Sequence, residues 1–345
     1  MSRAFRVRRL STHTRSLAGR YLRWLTLGTI LTWPVMFGQT AVQPGLHYRV
    51  IALPLKPRHL SNSGEVTGQT SNSRAAIWSR GHGLRLLTMP EGFTESAARG
   101  SNTSGYVVGF ATGSNGVLAL AYENGKLVRL SGRNSKALGV NDSGEVAGQS
   151  EIDGKPPVAP TLWKSGRVIS LGGCCGGVAN GINNRGQIIG DLYDQAGRYL
   201  AFLWDSIRGM QYIGPENGYS SAIAINDSGH VLLQEPERGI LLWRGLESQA
   251  QIRIPDEQPA DGRGLNNFDE VVGAFGPYFD ADHAFLWSEK NGFRDLNDFI
   301  PANSGWKLQV ATGINDSGEI VGFGSHNGND AAGFLLVPQE KIAQK

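Results

Sequence analysis

The chain has 345 residues and a formal net charge of +3, with 18% charged residues and two cysteines. The positive charge is not spread evenly: residues 1–41 hold seven arginines and no acid, and removing them leaves 26 basic residues against 30 acidic ones. The remainder is therefore mildly acidic and has no basic stripe, which excludes a nucleic-acid-binding surface.

In chain order, the first feature is a leader. A basic stretch ends at Arg23, an apolar run follows over 24–37 with Pro34 inside it, and small residues come next, with Ala41 a suitable last leader residue. This is the order of a secretory signal. The run is short for a membrane span, which needs about 20 apolar residues. An uncleaved anchor is the alternative, since Gln39 stands where a cleavage site prefers a small residue. The expected location is secreted or periplasmic, or inner-membrane anchored and facing the periplasm. Contact with a membrane would run only through this segment.

After the leader, residues 48–53 read as a strand that belongs to no complete unit. Then one phrase recurs seven times. Its clearest copies are Gly139-Val140-Asn141-Asp142-Ser143-Gly144-Glu145-Val146-Ala147-Gly148 and Gly313-Ile314-Asn315-Asp316-Ser317-Gly318-Glu319-Ile320-Val321-Gly322. The first copy has Ser61 in place of the asparagine. Anchored on the turn residue (Gly64, Gly105, Gly144, Gly186, Gly229, Asp269 and Gly318), the period stays close to forty residues. A period near forty with β-type content signals propeller blades. The asparagine suits a tight turn because its side chain can bond the backbone two residues on, and glycine accepts positive φ there.

Within each unit a short apolar strand follows the turn. A third strand ends in a bulky residue: Trp78, Tyr122, Trp163, Trp204, Trp243, Trp287, and Leu336 in the last copy. A large residue recurring once per unit is expected to pack one blade on the next. Turns such as Asn124-Gly125 and Ser165-Gly166 lead to a fourth strand, for example 167–171 or 251–254. Ahead of the asparagine, small residues stand four and two places back, as in Ala137 and Gly139. That pattern places this strand innermost, where the sheets converge. The first copy departs from it, with Pro57 and His59.

The seventh copy lacks a fourth strand, and 48–53 is the natural substitute. The fold expected is therefore all-β: a seven-bladed β-propeller of four-stranded repeats over 46–338, closed by the N-terminal strand and followed by a tail, 339–345. A solenoid would leave two open ends in need of caps.

These residues resemble the HAF extracellular repeat family of bacterial proteins. The resemblance rests on the asparagine–glycine phrase followed by His283-Ala284-Phe285-Leu286-Trp287, with partial versions at Ala201-Phe202-Leu203-Trp204 and Gly333-Phe334-Leu335-Leu336. It implies export and repeat architecture and carries over no catalytic residue.

For chemistry the sequence offers little. No phosphate-binding loop, dinucleotide fingerprint, zinc-protease helix or nucleophile elbow is present. The histidines lack ligand spacing, and the Asn-Asp-Ser-Gly-Glu turns lack the acid density of a calcium loop, so no metal or cofactor is expected. Cys174 and Cys175 are adjacent, which leaves either a strained disulfide or two small loop residues.

The second-to-third and fourth-to-first connections vary and fall on one face of the ring, where binding is expected. The candidate residues there are Tyr219, Tyr278, Asp280, Asp282, His283 and Trp306, with Trp306 either presented to a ligand or capping its blade. The reading this supports is a non-catalytic binding or scaffold module for an envelope or extracellular protein or glycan. The alternative is a secreted hydrolase or lyase acting on polysaccharide through acids at that face.

Overall fold

The structure is a computed structural model that describes residues 46–339, apart from 174, 216–217, 246–247 and 278–281. The leader, the tail beyond Gln339, Cys174, Tyr278 and Asp280 thus lie outside the described residues. Among the described residues no helix is long and apolar enough to cross a membrane.

The chain is a seven-bladed propeller with four antiparallel strands per blade. β1 (His47–Leu53) comes first and is followed by blade 1, which is β2 (Lys56–Leu60), β3 (Val66–Gln69), β4 (Ala75–Ser79) and β5 (Gly83–Leu86). Blade 2 is β6 (Glu95–Ser101), β7 (Val107–Gly113), β8 (Gly116–Glu123) and β9 (Lys126–Arg129). Blade 3 is β10 (Arg133–Val140), β11 (Val146–Ile152), β12 (Lys155–Lys164) and β13 (Arg167–Ser170). Blade 4 is β14 (Gly177–Ile182), β15 (Ile188–Tyr193), β16 (Tyr199–Asp205) and β17 (Gly209–Tyr212). Blade 5 is β18 (Ser221–Ile225), β19 (Val231–Glu235), β20 (Gly239–Trp243) and β21 (Gln249–Gln251). Blade 6 is β22 (Ala260–Leu265), β23 (Val271–Phe275), β24 (His283–Ser288) and β25 (Gly292–Asp295). Blade 7 is β26 (Trp306–Ile314), β27 (Ile320–His326) and β28 (Asn329–Gln339), and β1 completes it as the outer strand, paired from His47–Gln339 to Leu53–Gly333. This closure joins the first strand to the last and removes the edge that an open ring would expose.

Two outer strands differ from expectation. β13 stops at Ser170 and not at 171, and the outer strand of blade 5 stops at Gln251 and does not run to 254, because Leu171 and Ile252 turn inward and bury, and Pro255 lies just beyond. The first copy, despite Pro57 and His59, forms a regular inner strand with the same pairing as the others.

The core is divided among the interfaces between blades. The bulky third-strand residue of each blade lies opposite a β-branched residue and packs back on the preceding blade. Tyr122 meets Ala75 and Ile77, Trp204 meets Ala147 and Leu162, and Trp287 meets Leu232 and Leu242. Trp163 also donates its indole N–H to Ser131 O at 2.6 Å. Each such ring buries a large apolar area at the contact. The Asn124-Gly125 and Ser165-Gly166 turns both have positive φ at their two residues, the backbone shape that matches strand twist in a two-residue hairpin.

Candidate functional site

Two collars of hydrogen bonds encircle the axis. Each repeat asparagine accepts with its Oδ1 a backbone N–H bond from four residues on and a second bond from two residues on, as Asn141 does from Glu145 N and Ser143 N; at Asn102 the second donor is the Ser104 hydroxyl. Its Nδ2 reaches the next blade. Asn102 donates to Asn141 O, Asn141 to Asn183 O, Asn183 to Asn226 O, Asn226 to Asn266 O, Asn266 to Asn315 O and Asn315 to Ser61 O, at 2.9–3.3 Å. A second collar uses the following residue. The N–H groups of Thr103, Asp142, Asn184, Asp227, Asn267 and Asp316 donate to the side chains of Asp142, Asn184, Asp227, Asn267, Asp316 and Asn62 in turn.

Both collars break at one place. Among the described residues no such bond joins blade 1 to blade 2. Ser61 is too short to span the gap, and its hydroxyl bonds within its own turn to Ser63 and Glu65. In blades 3, 4, 6 and 7 the asparagine Nδ2 also holds the side chain four residues on, as with Asn141 and Glu145 at 2.8 Å. Glu65 lacks that support, and burial pushes its carboxyl above the usual range despite Arg85 and Ser101, which act to lower it.

Every inner strand carries a β-bulge three residues ahead of the collar position, between the two small residues. The unpaired residue lines an axial cavity of about 480 Å³. Around one arc stand Arg263, Thr312, Arg58 and Arg99, and around the other Leu138, Asn180 and Ile223. The small residues permit this convergence: a Cβ on Gly264 would lie 3.0 Å from the Cα of Gly313, and one on Gly139 would lie 3.3 Å from the Cα of Gly181. In blade 1 His59 takes the small-residue place. Both its ring nitrogens are buried without partners, and burial, with Arg99 nearby, pushes its pKa down to about 4. Sequence reasoning passed over Arg58 and Arg99. The available signal was the one irregular position inside an otherwise small-x-small pattern.

The predicted residues that the structure describes, Tyr219, Asp282, His283 and Trp306, fall on the loop-bearing face in two groups. Tyr219 lies in the connection from blade 4 to blade 5, where its ring is 6.5 Å from Tyr199, which in turn is edge-on to Tyr193 at 5.1 Å. Asp194 pins the hairpin tip by accepting from Ala196 N and Arg198 N and pairing with the Arg198 guanidinium at 2.6 Å. Ser220 N donates to Tyr199 O and ties the two loops together. Tyr199 and Tyr219 are each 48% exposed.

The second group is on blades 6 and 7. Asp282 pairs with Lys307, which holds its carboxyl below the usual range, and His283 Nδ1 meets Asp295 Oδ2 at 2.5 Å. Trp306 stacks on His326 at 4.4 Å and stands edge-on to Phe334 at 6.0 Å, so it covers the end of its own blade. Among the described residues no group of three or more His, Cys, Asp or Glu is placed to hold a metal ion.

Buried Asp191, missed in the sequence, ties blade 4 to blade 5. It accepts from Ala222 N, Ser221 Oγ and Asn180 Nδ2, while burial raises its pKa.

No family model matches the chain, and no curated protein matches it. Among solved structures it is similar to a catalytically inactive variant of virginiamycin B lyase from Staphylococcus aureus with quinupristin (TM-score 0.56, 10% identity, 85% of this chain and 99% of that one). It is similar also to the β-propeller domain of the Trilobed protease from Pyrococcus furiosus, described as having an open velcro topology (TM-score 0.52, 12% identity, 71% and 82% covered). A third is YCF48 bound to D1 peptide (TM-score 0.51, 12% identity, 84% and 96% covered). At these identities the likeness is one of fold. The class is thus the seven-bladed β-propeller, here with its ring closed by β1.

Proposed function

We propose that the chain is a non-catalytic binding module, an exported repeat protein of the HAF type whose loop-bearing face holds a protein or glycan partner. The observation that carries this reading is the tyrosine group on blade 4. Two half-exposed rings are fixed by backbone and side-chain bonds, and such rings offer contact area at little entropic cost. The acid beside the rings supports it, because Asp194 is engaged in an ion pair with Arg198. One neighbour of this fold is bound to a peptide; fold alone does not transfer that property.

The test is binding of the full chain to glycan and peptide arrays, repeated with Tyr199→Ala and Tyr219→Ala. The expected result is a loss of roughly tenfold in affinity for the double variant, with the fold intact. Array binding that ignores both substitutions contradicts the reading.

A second reading, a secreted hydrolase or lyase on polysaccharide, is favoured by one pair. Asp295 orients His283 as a general base would be oriented. Turnover of an acidic or neutral polysaccharide that disappears in His283→Ala would establish it in place of the first.

A further inference from the structure

The seam between blades 1 and 2 combines several unusual features. It is where both collars are interrupted, and there the bulged positions of neighbouring blades present Arg58 and Arg99 to the axial cavity. Arg99 is half-buried and Arg58 is exposed, and burial, then the charge of Arg58, pushes the Arg99 pKa down. Among the described residues neither has a carboxylate or hydrogen-bond partner, whereas Arg263, on the same arc, lies 3.2 Å from Asp261. The cavity wall beside them adds unspent hydrogen-bonding capacity. Both nitrogens of His59 are buried and make no hydrogen bond. Across the cavity, Leu138 and Ile223 give an apolar wall.

Two like charges held together in a partly desolvated channel cost free energy unless an anion neutralises them. The planar fork of a guanidinium group pairs its N–H donors with two oxygens of a carboxylate, sulfate or phosphate. We infer that the axial cavity binds a small organic oxyanion, whose charged group bridges Arg58 and Arg99 across the open seam and whose body lies against Leu138 and Ile223. A cavity of about 480 Å³ admits a ligand the size of a sugar acid or an aromatic acid and excludes a folded chain. The bound oxyanion takes the place of the missing collar link and holds blade 1 to blade 2. The inference does not rest on the tyrosine face, and either can fail without the other.

The experiment is titration calorimetry of the full chain with sodium benzoate, inorganic sulfate and the neutral analogue benzamide at low ionic strength. Arg58→Gln, Arg99→Gln and a surface control, Arg208→Gln, are measured alongside. The expected result is one saturable benzoate site per chain that sulfate competes for and benzamide does not fill. Each seam variant weakens it by roughly tenfold or more, while the control leaves it unchanged. Benzoate should also raise the unfolding temperature in proportion to the logarithm of its concentration. If Arg99→Gln fails to fold, Arg58→Gln carries the test, since that side chain is exposed. Sulfate binding alone, with the same arginine dependence, keeps the oxyanion site and removes the apolar wall from it. Absence of saturable binding by both anions, or binding indifferent to both arginines, overturns the inference.

Discussion

Six of the seven seams between blades are closed at the axis by the same pair of bonds, and the seventh is not. Between blades 2 and 3, Asn102 Nδ2 reaches Asn141 O and Thr103 N reaches Asp142; this is repeated around to blade 1, where Asn315 and Asp316 reach Ser61 and Asn62. Between blades 1 and 2 no such bonds stand at the axis among the described residues, and the contact is made farther out. There Ser96 Oγ accepts from Ala75 N, Ser96 N donates to Ser73 O, Tyr122 donates its hydroxyl to Thr88 O, and the apolar cluster around Ala75, Ile77 and Tyr122 is intact. The difference separates two jobs that the other seams perform together. Apolar packing suffices to hold two blades side by side, while the collars fix the distance between their inner strands. Where the collars lapse, the inner strands are free to carry residues that serve neither purpose, and these are Arg58, His59 and Arg99.

The largest effect expected from disturbing the ring is at its closure. A chain lacking residues 1–53 loses β1, leaves β28 as a bare edge and exposes the apolar side chains around Leu53 and Leu335. Denaturant unfolding should change from one cooperative transition to a broad or absent one, with aggregation; an unchanged single transition would mean that the strand is dispensable.

Asn183→Ala should destabilise by about 2–4 kcal/mol in urea unfolding. It removes one bond to blade 5 and leaves the N–H groups of Arg185 and Gln187 without their acceptor. The same change at position 61, Ser61→Ala, should cost about 1 kcal/mol, because its hydroxyl serves only its own turn.

His59 gives the seam a pH dependence. Its folded pKa of about 4 lies below the ordinary value near 6.5. The unfolded chain therefore takes up the proton first, and stability falls as the pH drops from about 6.5 to about 4, by up to about 3 kcal/mol. Glu65, whose pKa is raised, acts in the opposite sense: its contribution is present at low pH and is lost as the pH rises through its folded value. His59→Leu should flatten the loss between pH 6.5 and 4, as read by urea midpoints; an undiminished slope would place the responsible group elsewhere.

The smallest effect is a gain. Ser61→Asn supplies the absent donor for Asn102 O and for Glu65, and should add about 1 kcal/mol to stability. A loss would show that the seam cannot accept the regular spacing.

Much of this was legible in the sequence for a physical reason. Structural roles repeat, so Asn141, Gly144, Trp163 and Ala137 announce themselves by recurrence. The pairing of β1 with β28 was legible from arithmetic, since one unit lacked a strand and one strand lacked a unit. The boundaries of β21 were not, because burial of Ile252 and the following Pro255 override the apolar pattern. Arg58, Arg99 and Asp191 stayed hidden because each stands at a place where the repeat imposes no residue type: the bulged position holds arginine in three blades and other residues in four. The tyrosine group was only partly visible. Tyr219 stood out in a variable loop, but its neighbours Tyr193 and Tyr199 come from a hairpin whose ends meet it only in the folded ring.

The collars, not the apolar clusters, hold the inner strands together, so that the ring is weakest between blades 1 and 2. Native-state hydrogen exchange resolved to the inner strands tests this directly. Peptides covering residues 56–62 and 95–103 should lose protection before those covering the inner strands of blades 3 to 6. Uniform exchange around the ring, or first opening at another seam, would contradict it.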